Sequence, residues 1–275
     1  MSGSASAAAR GGQGTLHNKG VDTPAPTRLW LWPNLLSLDA PVVAVLWQVF
    51  FARCFHVPIE PAAVVLLLLT VWLIYAADRT LDARKGDCHS PRHEFYRRHW
   101  KTLLPVWCAA LALAAWLAVE WLPARLFLRG AILLGVVAVY FGLVHLGRRR
   151  WPKEAAVGVL FALGASLIAW NRVQTAADAA TILLFSGLCW MNCVAIEKWE
   201  TGDAHWSPRV AAVLLGGIAG VLLYAHRPML GGAEMASAFA FVWLGRARPR
   251  LSADVVRVLA DVALLSPVLF LPVVR

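Results

Sequence analysis

The chain has 275 residues, of which 59% are hydrophobic and 15% charged, and its mean hydropathy is +0.61. Soluble domains carry about 25% charged residues, so the composition argues against a water-soluble globular fold and for the bilayer as the main solvent. A net charge of +10 raises nucleic acid as a partner, but no nucleic-acid-binding module accompanies it and none is expected to bind.

Residues 1–28 are rich in Ala, Gly and Ser and contain no apolar run. They are expected to form a disordered cytoplasmic tail and not a cleaved signal peptide. Residues 29–275 read as one transmembrane domain. Its apolar segments are 38–55, 58–77, 102–122, 126–147, 154–171, 179–197, 209–226, 229–245 and 255–273. Each is close to the ~20 residues that cross a hydrocarbon core. The predicted fold is therefore an all-α polytopic membrane protein with nine transmembrane helices. Turn-like breaks such as Val57-Pro58, Leu122-Pro123-Ala124 and Arg227-Pro228 separate some of the segments.

With the N-terminus placed in the cytoplasm, twenty of the 26 Lys and Arg fall on the cytoplasmic face. The other six, Arg53, Arg125, Arg129, Arg172, Arg227 and Arg275, fall on the opposite face. This asymmetry predicts an integral protein of the cytoplasmic membrane with the N-terminus inside and the C-terminus outside. The five cysteines include no CxxC pair, and four lie in or beside apolar segments, so no disulfide framework is expected.

The acids are distributed less evenly than the cations. Asp78 and Asp82 are four residues apart just beyond the second apolar segment, with Asp87 following. If that helix continues past Ala77, both carboxylates share one face near its end. Close carboxylates repel unless a cation balances them. Mg²⁺ suits the pattern, because it prefers oxygen ligands and is commonly held by one or two carboxylates plus substrate phosphates. A charged helix end with Asp–Arg pairs is the plainer alternative. Glu197, Glu200 and Asp203 form a second cluster at the end of the sixth segment, spaced by three, with Gly202 interrupting the stripe. A solvated helix end is again the alternative. Both clusters are predicted at the cytoplasmic ends of their helices, among Arg79, Arg84, Lys85, Arg92, Arg97, Arg98, Arg148, Arg149, Arg150 and Lys153. Carboxylates beside Arg and Lys over an apolar bundle suit a magnesium diphosphate carrying a lipid tail.

Two more acids enter the apolar segments. Asp39 begins the first, where an N-cap with Pro41 in the first turn would explain it. Asp261 lies about two turns into the ninth, within pairing distance of Arg257 on one helix face. Ionisable groups inside a membrane are functional candidates. Asn192 and Asn171 are further polar candidates, although such residues commonly bond between helices. Cys88, His89, His93 and His99 match no standard zinc spacing and are expected in a basic loop. Cys189 and Cys193 are expected to pack. Walker A, GxSxG, HExxH and GxGxxG motifs are absent.

The order of these features resembles the UbiA superfamily of intramembrane prenyltransferases. Members have nine transmembrane helices, an Asp-rich motif after helix two (commonly NDxxDxxxD) and a second after helix six (commonly DxxxD). Here Asp78-Arg79-Thr80-Leu81-Asp82, continuing to Asp87, takes the first place, and Glu197-Lys198-Trp199-Glu200, continuing to Asp203, takes the second. Lys153-Glu154 followed by Gly158 to Gly164 is also similar to family members. The likeness covers roughly residues 28–275. Ala77 stands where the family often has Asn, the first pair is spaced by four instead of three, and Glu replaces Asp in the second motif.

The resemblance implies a Mg²⁺-dependent transfer of a polyprenyl group from its diphosphate to an apolar or aromatic acceptor. It implies Asp78, Asp82, Glu200 and Asp203, with Glu197 beside them, as Mg²⁺ ligands. Arg79, Arg84, Lys85, Arg149, Arg150 and Lys153 would contact the diphosphate. Asp39, Asp261 and Asn192 are the candidates to orient the acceptor or take its proton. The expected partners are an isoprenoid diphosphate and membrane lipid, with no protein partner evident. A UbiA-type terpene cyclase acting on the diphosphate alone is one alternative. A non-catalytic transporter or lipid-binding scaffold is the other.

Overall fold

A computed structural model describes residues 32–85, 91–146, 153–201, 208–224 and 227–274. Within these, the side chains of 84–85, 91–94, 146, 200–201, 208 and 223–224 are not described. The expected tail at 1–28 lies outside the described residues. The elements in chain order are α1 (Trp32–Leu35), α2 (Asp39–Cys54), α3 (Pro61–Lys85), α4 (Pro91–Trp121), α5 (Ala124–Leu146), α6 (Lys153–Ser166), α7 (Ala176–Thr201), α8 (Pro208–Tyr224), α9 (Pro228–Ala247), α10 (Ala253–Ala263) and α11 (Pro267–Phe270). Short 3-10 turns extend α6 over Leu167–Arg172 and follow α9 over Arg248–Arg250. The described chain is all-helical.

The first eight apolar segments lie mainly on α2 to α9, and the ninth begins on α10. Five stretches are long and apolar enough to cross a membrane: Pro61–Ala83, Phe95–Trp121, Ala124–His145, Lys153–Arg172 and Ala176–Trp199. Three departures from expectation have physical causes. Helix α3 runs to Lys85, beyond the apolar stretch, because charged Ala-, Leu- and Arg-containing sequence is still good helix former. Helix α4 begins at Pro91, so Arg97, Arg98, His99 and Lys101 lie on its first turns and not in a loop. Segment 255–273 is not one helix. Helix α10 has 11 residues, about 16 Å at 1.5 Å per residue, and the chain turns at Leu264–Ser266 before Pro267, which cannot donate a backbone hydrogen bond.

The helices alternate in direction and form two polar ends. At one end the Tyr140 hydroxyl donates to the Lys153 carbonyl (3.4 Å), Ser37 and Tyr96 share a hydroxyl hydrogen bond (3.0 Å), and Arg248 donates to the Trp199 carbonyl (3.1 Å). Arg209 also donates to the Gly245 carbonyl there. At the other end Arg53 donates to the Leu271 carbonyl (3.1 Å) and Arg129 to Asn171 Oδ1 (2.8 Å). Arg227 pairs there with the buried Asp178 at 2.6 Å and covers the Phe55 ring.

Packing is uneven across the bundle. Trp47 of α2 stacks on Phe185 of α7 with centroids 4.0 Å apart, and Phe50, Phe51, Leu188 and Phe241 are buried around them. The Trp47 indole donates to the Leu264 carbonyl at 2.8 Å, which fixes the chain just after α10 against α2. Gly158 lets α6 meet α7 backbone to backbone, since a Cβ there would lie 2.7 Å from the Ser186 carbonyl oxygen. Close contact at small residues is how helices associate in lipid, where burial of apolar surface adds little. In contrast α4 and α5 present Trp116, Val119, Ile132 and Val139 outward, as lipid-facing helices do.

Candidate functional site

Two polar groups occupy the end of the bundle where α2 starts and α3 ends. The first sits at the rim. The extension of α3 past Ala77 carries Asp78 and Asp82 one helical turn apart. His145, on the last turn of α5, meets them: Asp78, Asp82 and His145 each offer a ligand atom within 4.8 Å of the others. The His145 ring nitrogen Nε2 is 3.1 Å from Asp78 Oδ1. The imidazole is 10% exposed and the Asp78 side chain 47%, so the group opens toward solvent on the carboxylate side.

The donor set fits a divalent cation. Two carboxylates supply the oxygens that Mg²⁺ prefers. The His145 nitrogen is a ligand for Mn²⁺ or Zn²⁺ more than for Mg²⁺. Beside Mg²⁺ its better role is the hydrogen bond that orients Asp78. His145 carries no spacing signature, being a single His in an apolar run, so only the fold reveals it.

The second group is deeper. Asp39 opens α2 but is not its N-cap, which is Leu38 and makes no side-chain cap bond. Instead Asp39 Oδ2 accepts from Asn34 Nδ2 at 2.7 Å and Oδ1 from the Ala40 backbone at 3.0 Å. Asp261 accepts from Asn192 Nδ2 at 3.1 Å, while Arg257 bonds Asp254 at 3.3 Å. The expected Asp261–Arg257 pairing is thus replaced, because α10 packs its Asp261 face toward α7 and α2. Asp39 lies close enough to Asp261 for the two carboxyl groups to interact. The fold therefore brings Asp39, Asp261 and Asn192 together, and adds Asn34.

Arg79 joins the two groups. It lies beside Asp78 in the chain, is 8% exposed, and is close enough to Asp261 for their charges to interact. Lys153 is exposed and reaches its neighbour Glu154 at 4.0 Å. Glu197 is exposed on α7 and is not in the Asp78, Asp82 and His145 group. For Arg84, Lys85 and Glu200 the structure describes helical backbone only, and Arg149, Arg150 and Asp203 lie outside the described residues, as do Asp87, Cys88 and His89. His99 bonds the Phe95 carbonyl of its own helix at 2.9 Å. Cys189 is buried in the core as expected for packing. A groove lined by Ala52, Arg53, His56 and Leu271 lies at the far end, away from both acidic groups.

No family model, curated protein or solved structure matches the chain.

Proposed function

We propose that the chain is a divergent intramembrane prenyltransferase of the UbiA type, acting with Mg²⁺ on an isoprenoid diphosphate. The observation that carries this reading is the rim group. Asp78 and Asp82 sit with His145 at one helix end, and the same apolar bundle carries a half-buried polar group, Asp261 with Asn192. A solvated helix end would explain Asp78 and Asp82 but not the imidazole held against them from another helix.

Asp78 and Asp82 would hold the ion, with Glu200 and Asp203 as the second set of ligands. His145 holds Asp78 in place through its ring nitrogen. Bound Mg²⁺ would neutralise the charge that develops on the departing diphosphate. Lys153 and the arginines of the same end would meet the phosphate oxygens. The apolar walls keep water from the allylic carbon once the diphosphate bond weakens.

The test is Mg²⁺-dependent diphosphate release from geranylgeranyl diphosphate by the purified protein. Replacing both Asp78 and Asp82 with Ala in a folded variant abolishes it on this reading. Release that is unchanged rejects the metal role. The products distinguish the cyclase alternative, which makes terpene hydrocarbons with no acceptor present.

A further inference from the structure

The groove at the far end of the bundle differs in chemistry from the two acidic groups. Its volume is about 710 Å³, within the range of a small-ligand site. One wall is the end of α2 and the turn after it, with Arg53, His56, Val57 and Pro58. The other is the segment following α11, with Leu271 and Pro272. Arg53 and His56 are exposed, and no lining residue is acidic. Glu60, the next acid along the chain, is exposed and forms no ion pair with either of them among the described residues.

The local sequence sets both basic side chains at this groove. Helix α2 closes on a Schellman turn, in which the His56 N–H donates to the Arg53 carbonyl (3.1 Å) and the Val57 N–H to the Ala52 carbonyl (2.8 Å). His56 takes the left-handed position of that turn, with φ of 53°. Glycine is the ordinary residue there, because a Cβ is strained in that conformation. This chain instead keeps an imidazole, which has at least one N–H to donate in any tautomer. Arg53 gives one guanidinium N–H to the Leu271 carbonyl at 3.1 Å, which ties the two walls together. Its remaining N–H groups and the His56 ring have no protein partner among the described residues.

Val268, Leu269 and Val273, on the same C-terminal segment as Leu271, are exposed and apolar. Cationic donors at a helix end, next to apolar surface in a membrane protein, match a lipid with its phosphate at headgroup level and its chains along the protein. We propose that this groove binds the phosphate of an anionic phospholipid, with Arg53 and His56 donating to its oxygens and the acyl chains lying over the exposed apolar side of the C-terminal segment. The bound lipid bridges α2 and that segment, adding to the Arg53–Leu271 bond. The site is at the opposite end of the bundle from the rim group, and it does not depend on the reaction proposed above.

The experiment is native mass spectrometry of the full-length protein, released from detergent micelles titrated with phosphatidylglycerol or phosphatidylcholine. The wild type is expected to bind phosphatidylglycerol more tightly than phosphatidylcholine. Arg53→Gln is expected to lower that affinity about tenfold, the scale of a hydrogen bond to a charged group. His56→Gly is expected to lower it about threefold, while the thermal midpoint without lipid does not fall, because glycine suits the left-handed turn. Arg125→Gln, which removes a cation at the same end of the bundle but outside the groove, is expected to leave the affinity unchanged. Unchanged affinity in both groove variants overturns the proposal. So does an equal loss in Arg125→Gln, which would mean attraction to surface charge in general, or equal binding of the two lipids by the wild type. Inorganic phosphate is the last arm: displacement of the lipid by millimolar phosphate would mean that a free anion fills the groove, and overturns the proposal, whereas retention of the lipid supports it.

Discussion

The two acidic groups differ in how they are built. The rim group, Asp78 and Asp82 with His145, is assembled from one helix end plus a single residue of another helix and remains partly open to water. The deep group, Asp39 and Asp261 with Asn34 and Asn192, draws on four separate elements and is half-buried between them. Like charges at the rim can be relieved by solvent or by an ion. On the proposed function, the rim is the group that would hold the ion.

The largest effect that sharpens this contrast is at the rim. Asp78→Ala with Asp82→Ala is expected to lower Mg²⁺-dependent diphosphate release by roughly 10²–10³-fold, the scale for losing a group that stabilises transition-state charge. Circular dichroism should show the helices intact, because both side chains are near the end of α3. A comparable loss of helix content would mean that the rim acids are structural.

Next comes the packing that holds the two groups in register. Gly158→Leu forces a side chain into a gap where even a Cβ would meet backbone 2.7 Å away. It should cost about 2–3 kcal/mol, toward the upper part of the overpacking range, because backbone cannot step aside as a flexible side chain can. Thermal unfolding in detergent measures it, and an unshifted midpoint would mean that α6 and α7 are not so tightly joined.

His145→Asn removes the imidazole while leaving a polar side chain. An outer partner of a metal ligand is worth about 10–100-fold in metal affinity, and the lower part of that range is expected because Asp78 stays half-exposed. Mn²⁺ titration followed by electron paramagnetic resonance reads it. No change in affinity would make His145 a partner of Asp78 with no bearing on an ion.

The smallest effect belongs to the lipid face. Ile132→Ala on α5, an exposed position, is expected to shift stability by no more than about 0.5 kcal/mol. Lipid replaces the lost contacts there as well as a protein side chain would. A shift several times larger would reveal a protein surface packed on α5 instead of lipid.

Much of the helical framework was legible because apolar runs and charged breaks are local signals. The α3 extension was conditional on sequence alone, since Asp78, Arg79 and Asp82 lower hydropathy without opposing a helix. The break after α10 was not legible from the apolar run 255–273, because its hydropathy does not register that Leu264–Ser266 turn before Pro267. Asp39, Asp261 and Asn192 each stood out as polar groups in apolar surroundings. Their contact was invisible, because it depends on how α10 docks against α2 and α7. His145 and Asn34 had no signal at all, since a lone polar residue in a chain has no spacing to read. Asp39 shows the opposite error: a local capping rule was sound in general but lost to a tertiary partner, Asn34, and to Asp261.

The central claim is that Asp78 and Asp82 hold a divalent ion that in turn holds a diphosphate. Calorimetric binding of a non-hydrolysable geranylgeranyl diphosphate analogue, with and without Mg²⁺, tests it directly in the wild type and in the Asp78→Asn, Asp82→Asn double variant. The account predicts binding that requires Mg²⁺ and is weakened at least about tenfold in the variant, or 1.4 kcal/mol. Equal affinity with and without Mg²⁺, or in both proteins, would contradict it.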